Sequence, residues 1–329
     1  MPAVETARPP WFWRLAVGGA VCGLGAGAAI VWWKSRRRGV RISRLCVYPV
    51  KSCRGHSLRE CRMTTTGLAH DREFVVVRLE AGRATALTQR KTPQLALVAP
   101  DLPSAEGLTL HKAGMRSVSV EVTSSGTTYD IDCPGVWDDS AQGVDQGDRA
   151  AAWLDDALGE QGLRLVRFTG RRPTPLPEKY GDGRTRFSDG FSMLLTSEAS
   201  LDDLAARTGL GRFCERMRPN VVVDGCAAFE EDTWRSLWWR RGGAEARLLL
   251  PKPCARCTIP RVDPATGVPG PDPVATMKAY RSGRALEAQA LPHGDHYRSH
   301  RGEIFFGQNV NVACSGEVVL RVGDVVVPA

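Results

Sequence analysis

The chain has 329 residues, of which 43% are hydrophobic, and carries a formal charge of +8. That length supports one large domain or two moderate ones with real cores. Much of the charge sits near the N-terminus, in Lys34, Arg36, Arg37, Arg38, Arg41 and Arg44, and the remainder is nearly neutral; such a balance argues against a nucleic-acid partner.

Residues 1–14 read as a tail, 15–33 as a transmembrane signal anchor and 34–41 as a basic tether. Leu15–Trp33 carries no charge and as a helix would span roughly 28 Å, close to the hydrocarbon thickness of a bilayer. Trp11 and Trp13 mark one end, Trp32 and Trp33 the other, as expected for indole rings at membrane interfaces. The positive charges follow the apolar run, which predicts a large domain in the cytosol. The alternative is a cleaved signal peptide ending near Ala26-Gly27-Ala28, but such peptides carry their charge before the apolar core. Ten scattered cysteines agree with a reducing compartment.

From Ile42 the pattern turns strand-rich. Ser43–Pro49, Glu73–Leu79, Leu95–Ala99, Leu108–His111 and Val118–Val122 are short, partly alternating runs between turn residues. Gly147–Gly159 reads as a helix with Ala151, Leu154 and Leu158 on one face, and Arg164–Phe168 as a strand. Gly170–Thr185, rich in Arg, Pro and Gly, reads as a loop or junction between regions 42–169 and 170–329. Ser197–Arg207 is a second helix with Ser197 as its cap. Strands follow at Asn220–Val223, Arg247–Leu250 and Cys257–Val262, then a short helix at Pro273–Arg281. Phe305–Val312 and Val318–Val327 close the chain as strands, the last broken at Gly323-Asp324. The expected class is α+β, barrel-like β structure decorated with helices and not a doubly wound sheet.

Cys254-x-x-Cys257 has several readings. Half a zinc site needs two more ligands, and His293, His296 and His300 are the candidates, although Pro292 and Gly294 disfavour a regular helical face there. A thioredoxin-like redox pair needs a βαβ context that the pattern does not offer. A single working thiolate at Cys257 would be favoured by Arg256 and Lys252, which would lower its pKa. A buried, unreactive cysteine is the remaining option. Elsewhere, Tyr48–Ser52, Gly67–Phe74, Thr88-Gln89-Arg90 and Arg218-Pro219-Asn220 combine strand ends with anion-binding residues. Together they suggest a concave site for a polar, phosphorylated ligand, since guanidinium groups bind oxyanions bidentately.

Taken in order, Tyr48–Ser52, Asp71–Phe74, Ser188-Asp189, Ser197–Leu201, Arg218-Pro219-Asn220, Arg256-Cys257, Val262-Asp263-Pro264 with Thr266-Gly267, and Phe306-Gly307-Gln308 resemble the MOSC (molybdenum cofactor sulfurase C-terminal) family. The resemblance runs from about Ile42 to the C-terminus. It implies an N-terminal strand-rich MOSC domain over 42–169 and a barrel-like MOSC catalytic domain over 170–329. It implies a molybdenum–molybdopterin cofactor, with Cys257 as catalytic metal ligand, a chemically sensible thiolate beside other sulfur donors. Lys51, Ser52, Arg72, Ser188, Asp189, Arg218, Asn220, Arg256 and Asn309 match positions around that cofactor. Gly190-Phe191 departs from the hydroxyl-bearing residues of some relatives, and Asn309 stands where some carry Tyr.

By the same resemblance, the reaction is two-electron reduction of N-hydroxylated compounds (amidoximes, hydroxylamines and N-oxides, with nitrite a further candidate). Sulfur transfer, a cofactor carrier and a non-enzymatic membrane scaffold are the alternatives. No ferredoxin-type cysteine spacing follows Cys257 and no Gly-rich dinucleotide fingerprint is found. The expected electron source is therefore another protein; the family implies cytochrome b5 and its NADH-dependent reductase. An anchor holding all three on one surface would raise their effective concentration. The family favours the mitochondrial outer membrane with the domain facing the cytosol; the endoplasmic reticulum is the alternative.

Overall fold

The structure, a computed structural model, describes residues 39–315 and 317–329. The tail 1–14, the anchor 15–33 and the tether as far as Arg38 lie outside the described residues. Among the described residues no helix is long and apolar enough to cross a membrane. Val40 and Arg41, expected in the tether, already belong to the first strand, Val40–Val47.

Five strands close a barrel in the order Thr128–Asp132, Ala141–Asp145, Leu163–Thr169, Phe74–Glu80 and Arg83–Ala86. The closure is a parallel pairing of Ile131 with Ala84 and Asp132 with Thr85. Phe74–Glu80 opens with a continuous apolar run because both of its faces are covered. Val75 and Val77 share a core with Ile131, Val166 and Phe187. Their neighbours Phe74 and Val76 join Trp153 and Leu154 of the helix Asp148–Leu158 in another. Successive strand side chains alternate faces, so one strand supplies both cores. The helix is the one expected from the sequence: Ala151 and Leu154 are buried, and Gly159 ends it in the left-handed conformation at φ 66°.

A larger sheet pairs Met193–Ser197, Val221–Asp224, Val40–Val47, Val325–Pro328, Ser236–Arg241, Ala244–Leu249 and Phe305–Ser315 in that order, with Pro253–Ala255 on the last. Phe305–Ser315 also pairs with Met193–Ser197, which joins the two ends. The first strand of the chain thus lies between strands of its second half. Ile42, Leu45, Val47, Leu195, Val221, Leu237 and Leu248 build the core of this sheet.

Ser197 caps the helix Glu198–Thr208, accepting from the Ser200 amide at 3.1 Å. Asp272 caps Pro273–Arg281 in the same way, with proline at the first position. Met193–Ser197 and Val221–Asp224 run parallel, so Glu198–Thr208 is a βαβ crossover, a context the sequence pattern did not offer. The two cysteines of the CxxC pair are not on it.

Two expected strands are not strands, and proline is the reason both times. Leu95–Ala99 was expected to be extended, but Pro93–Leu97 forms a 3₁₀ turn, with Pro93 at its start fixing φ and offering no ladder donor. Leu95 and Val98 nevertheless stay fully buried. Cys257–Val262 is a loop followed by a 3₁₀ turn at Ile259–Arg261, because Pro260 cannot donate to a sheet. The expected loop Gly170–Thr185 contains a short pairing of Arg172–Pro173 with Arg184–Thr185 and a helical turn at Pro177–Tyr180. A short helix does form at Gly294–Ser299, despite Pro292 just before it.

Candidate functional site

The turn after the first strand is stitched to the segment before the barrel strand Phe74–Glu80. The Arg72 amide donates to Tyr48 O at 2.8 Å, Phe74 N to Pro49 O at 2.9 Å, and Lys51 N to Phe74 O at 2.8 Å. This lays Lys51, Ser52 and Arg72 along one wall. Met193–Ser197, the Arg218–Asn220 turn and the Cys254–Cys257 loop supply the facing wall. All ten residues singled out from the sequence line this one cleft: Lys51, Ser52, Arg72, Ser188, Asp189, Arg218, Asn220, Arg256, Cys257 and Asn309.

Three of them sit in the left-handed region: Ser52 at φ 66°, Arg72 at φ 46° and Arg218 at φ 58°. Each costs about 1–2 kcal/mol for a residue with a Cβ, and such strain collects where side chains must be aimed. The aim here is mutual. The guanidinium groups of Arg72 and Arg218 lie over the Tyr48 ring, 4.3 and 4.1 Å from its centroid. Arg72 is held further by Asp71 at 2.6 Å and by Asn220 Oδ1 at 3.0 Å. Asn220 is 1% exposed; its oxygen also accepts from Leu194 N, and its Nδ2 donates to Cys46 O. Its side chain is therefore spent on positioning Arg72 and the wall behind it.

Asp189 sits on the rim with half of its side chain facing the cleft, and bridges the buried ammonium of Lys51 and Arg90 Nη2, the latter at 3.0 Å. Burial alone would raise its pKa; Lys51 and Arg90 outweigh that and hold it below the usual carboxylate range. Burial pushes Lys51 down, and Asp189 opposes the shift. Lys51 also lies 5.0 Å from the centre of the Trp137 ring, which is hydrogen-bonded through Nε1 to Ser188 O at 3.0 Å. The Gln89 amide donates to Ser52 Oγ at 3.3 Å, and Asn309 Nδ2 to Pro253 O at 3.2 Å.

The surroundings of Cys257 differ from the sequence expectation. The Arg256 guanidinium turns away to Met217 O at 2.9 Å and Cys254 Sγ at 3.3 Å. Lys252 lies against the rings of Tyr180 and Phe191, 5.5 Å from each centroid. Arg90 lines the same cleft as Cys257, its guanidinium held by Asp189 at 3.0 Å; burial opposes its charge and Asp189 favours it. Arg90 had a signal in the Thr88-Gln89-Arg90 stretch but falls outside the ordered motifs, so sequence reasoning left it out of the site. Burial pushes the Cys254 thiol up, only partly offset by Arg256. Among the described residues no group of three or more His, Cys, Asp or Glu side chains is placed to hold a metal ion, so the CxxC pair has no zinc partners there. Phe191, at the departure from the family pattern, packs edge-on against Tyr180 at 5.9 Å as part of the wall. A Cβ on Gly190 would meet nothing nearer than Pro175 at 3.6 Å, so the position itself has room for a side chain.

The charge balance says what the cleft can hold. Lys51 and Arg90 are paired with Asp189, and Arg72 with Asp71. Arg218 and Arg256 have no carboxylate partner among the described residues. Their Arg218 Nη2 and Arg256 Nε, and also Arg90 Nη1, are buried donors without acceptors. Unpaired buried guanidinium donors fit an oxyanion such as a phosphate. A soft thiol in the same cleft fits a sulfur-rich metal. The residues present thus suit a phosphorylated pterin that carries molybdenum.

The strand-rich architecture, the closed barrel and this cleft agree with a MOSC-type protein, and the family models place the chain there. Residues 39–161 match the MOSC N-terminal beta barrel domain and residues 182–327 the MOSC domain. Mouse mitochondrial amidoxime-reducing component 1 is 32% identical over 291 residues, covering 83% of this chain and 82% of that protein. Rat mitochondrial amidoxime reducing component 2 is 34% identical over 295 residues, covering 83% of each. The molybdenum cofactor sulfurase of Drosophila grimshawi is 33% identical over 251 residues, covering 74% of this chain but 31% of that longer protein. The chain belongs to the MOSC family, with the amidoxime-reducing components among its relatives.

Proposed function

We propose that this chain is a molybdenum cofactor-dependent reductase of N-hydroxylated compounds: amidoximes, hydroxylamines and N-oxides, with nitrite a further candidate. The observation that carries the reading is the cleft in which Cys257 shares space with two guanidinium groups, Arg218 and Arg256, that lack carboxylate partners. The relatives named for amidoxime reduction support the substrate class. The molybdenum–pterin group, once bound, supplies the two-electron redox chemistry.

The chain's own residues bind and orient. Arg218 and Arg256 would take the pterin phosphate, and Cys257 would be the protein's thiolate ligand to the metal. Arg90, braced by Asp189 in the same cleft, would offer that ligand a counter-charge. Asp189 keeps lone pairs beyond those used by Lys51 and Arg90 and could accept from ring N–H groups. Electrons are proposed to come from NADH through cytochrome b5 reductase and cytochrome b5. Residues 15–33 are proposed to anchor the chain in the mitochondrial outer membrane, domain toward the cytosol; the relatives' names favour mitochondria over the endoplasmic reticulum.

The test is metal and pterin content together with turnover. Purified protein should carry molybdenum and pterin near one per chain. It should reduce an amidoxime with reduced cytochrome b5, and Cys257→Ser should abolish that activity while the protein stays folded. Full activity in the mutant would remove Cys257 from the mechanism. The sulfurase relative favours a second reading, cofactor carriage or sulfur transfer. It uses the same cleft but predicts bound pterin with no amidoxime turnover.

A further inference from the structure

Behind the Arg218 side of the cleft, two cysteines carry a separate chemistry. Cys46, on strand Val40–Val47, and Cys214, on helix Phe213–Met217, hold their sulfurs 3.7 Å apart across a sequence separation of 168. Cys46 is buried; Cys214 is partly exposed. Both line a pocket with Arg44, Arg54, His56 and Arg212, so a small polar oxidant can reach them. A hydrogen bond from Cys46, with Arg44 close by, pulls the Cys214 thiol below its ordinary pKa, while Cys46 is pushed well up. That is the arrangement of an attacking thiolate beside a resolving thiol.

We propose that Cys46 and Cys214 form a peroxide-sensitive dithiol whose oxidation to a disulfide loosens the cofactor cleft. The Cys214 thiolate attacks one oxygen of hydrogen peroxide. The O–O bond breaks, and the departing hydroxide takes a proton and leaves as water, with Cys214 now a sulfenic acid. The Cys46 sulfur attacks that sulfur; the S–S bond forms, the S–O bond breaks, and the Cys46 proton leaves with the oxygen as a second water. The two thiols together lose two electrons, and the peroxide gains them.

The coupling to the cleft follows from what is fixed and what can move. Cys46 is pinned on its backbone: its amide donates to Asn220 O at 2.8 Å and its carbonyl accepts from Asn220 Nδ2 at 3.0 Å. With Cys46 pinned, we assign the approach of the sulfurs from contact to bonding distance to Cys214 and to the short helix Phe213–Met217 that carries it. Arg218 caps that helix, its amide on Cys214 O at 2.9 Å, and Met217 O receives Arg256 Nη2. The two guanidinium groups without carboxylate partners are therefore both attached to the element that oxidation moves. The dithiol chemistry stands apart from the proposed function; the loosening of the cleft rests on it.

The experiment treats full-length protein with hydrogen peroxide, caps the remaining free thiols and digests without reduction. A Cys46–Cys214 linked peptide should appear before Cys257 is oxidised, and dithiothreitol should remove it. Cys46→Ser should leave a dimedone-reactive sulfenic acid on Cys214, and Cys214→Ala should leave neither product. The mapping on the unsubstituted chain needs no variant, so a variant that misfolds does not shelter the idea. If both cysteines stay open to capping while other cysteines oxidise, the dithiol is refuted. A second arm measures pterin lost from the cofactor-loaded protein by fluorescence after filtration. Loss should be about tenfold faster after oxidation, equivalent to about 1.4 kcal/mol. Equal loss with the disulfide mapped would refute the coupling alone. Protein that never binds pterin would overturn the proposed function and leave the dithiol standing.

Discussion

Glu73 offers a quantitative test of how the cleft wall is braced. It stands between Arg72 and the first barrel strand, with its side chain 12% exposed. One carboxylate oxygen accepts from Arg167 Nε at 2.8 Å and the other from His70 Nδ1 at 3.0 Å. Burial opposes its charge, yet these donors and the nearby Arg186 bring its pKa from an ordinary 4.5 to about 2. That displacement corresponds to about 3 kcal/mol of native-state preference for the ionised form. Glu73→Gln keeps an acceptor but loses the charge, so the expected cost at pH 7 is about 2–3 kcal/mol, or roughly a 5 °C lower Tm. The sign with pH is fixed. A carboxyl whose folded pKa lies below its unfolded value stabilises fully above 4.5 and loses that contribution as pH falls toward 2. Urea unfolding of both proteins at pH 7 and near pH 3 is the assay; the gap between them should shrink in acid. A gap under about 0.5 kcal/mol at pH 7, or one that widens in acid, would refute the reasoning.

Three further outcomes follow from particular contacts. Asp189→Asn leaves the buried ammonium of Lys51 without its carboxylate. With one partner buried and the other half-exposed, the expected loss is about 2 kcal/mol by thermal unfolding, together with weaker pterin retention. Because the Asp189 pKa is held below its ordinary value, this loss should be full at neutral pH and fade below about pH 4. Ser197→Ala removes a helix cap and also a donor to the fully buried Glu231, 3.0 Å away. A cost of about 1–2 kcal/mol in urea is expected, and a neutral result would mean that the cap contributes little. Gly307 sits at φ +74°, where a Cβ would lie 2.7 Å from Leu195 O. Gly307→Ala should therefore cost more than the roughly 1 kcal/mol of conformational strain alone, read as a lower Tm; an unchanged Tm would contradict the close packing.

Local pattern made much of the fold legible. The helices Asp148–Leu158, Glu198–Thr208 and Pro273–Arg281 carry their caps and buried faces in a few adjacent residues. The strand Phe74–Glu80 announces itself as an apolar run, and Phe305–Ser315 as Phe305-Phe306 followed by alternating Asn and Val. Leu95–Ala99 and Cys257–Val262 depart from that pattern: Pro93 starts a 3₁₀ turn that runs into the first, and Pro260 within the second offers no amide to a ladder. Ser236–Arg241 carries two tryptophans and two arginines, and a periodic reading passes over it; its place in the sheet comes from pairing on both sides with Ala244–Leu249 and Val325–Pro328.

The site divides along the same line. By itself the sequence determined which residue types were in play: a thiol at Cys257, a set of arginines next to turns, and an ordered series of motifs that marks the family. These are properties of short segments, and covalent neighbours suffice to state them. Only the tertiary structure decided which of those groups meet. It turned Arg256 toward Cys254 and the main chain, and placed Arg90, held by Asp189, in the cleft that Cys257 lines. It committed Asn220 to holding Arg72, and left Arg218 and Arg256 as the cleft arginines without carboxylate partners among the described residues. Contacts between residues far apart in the chain depend on which strands pair and on how three left-handed backbone positions aim their side chains. Neither is encoded within a single segment, because both are set by the packing of the whole.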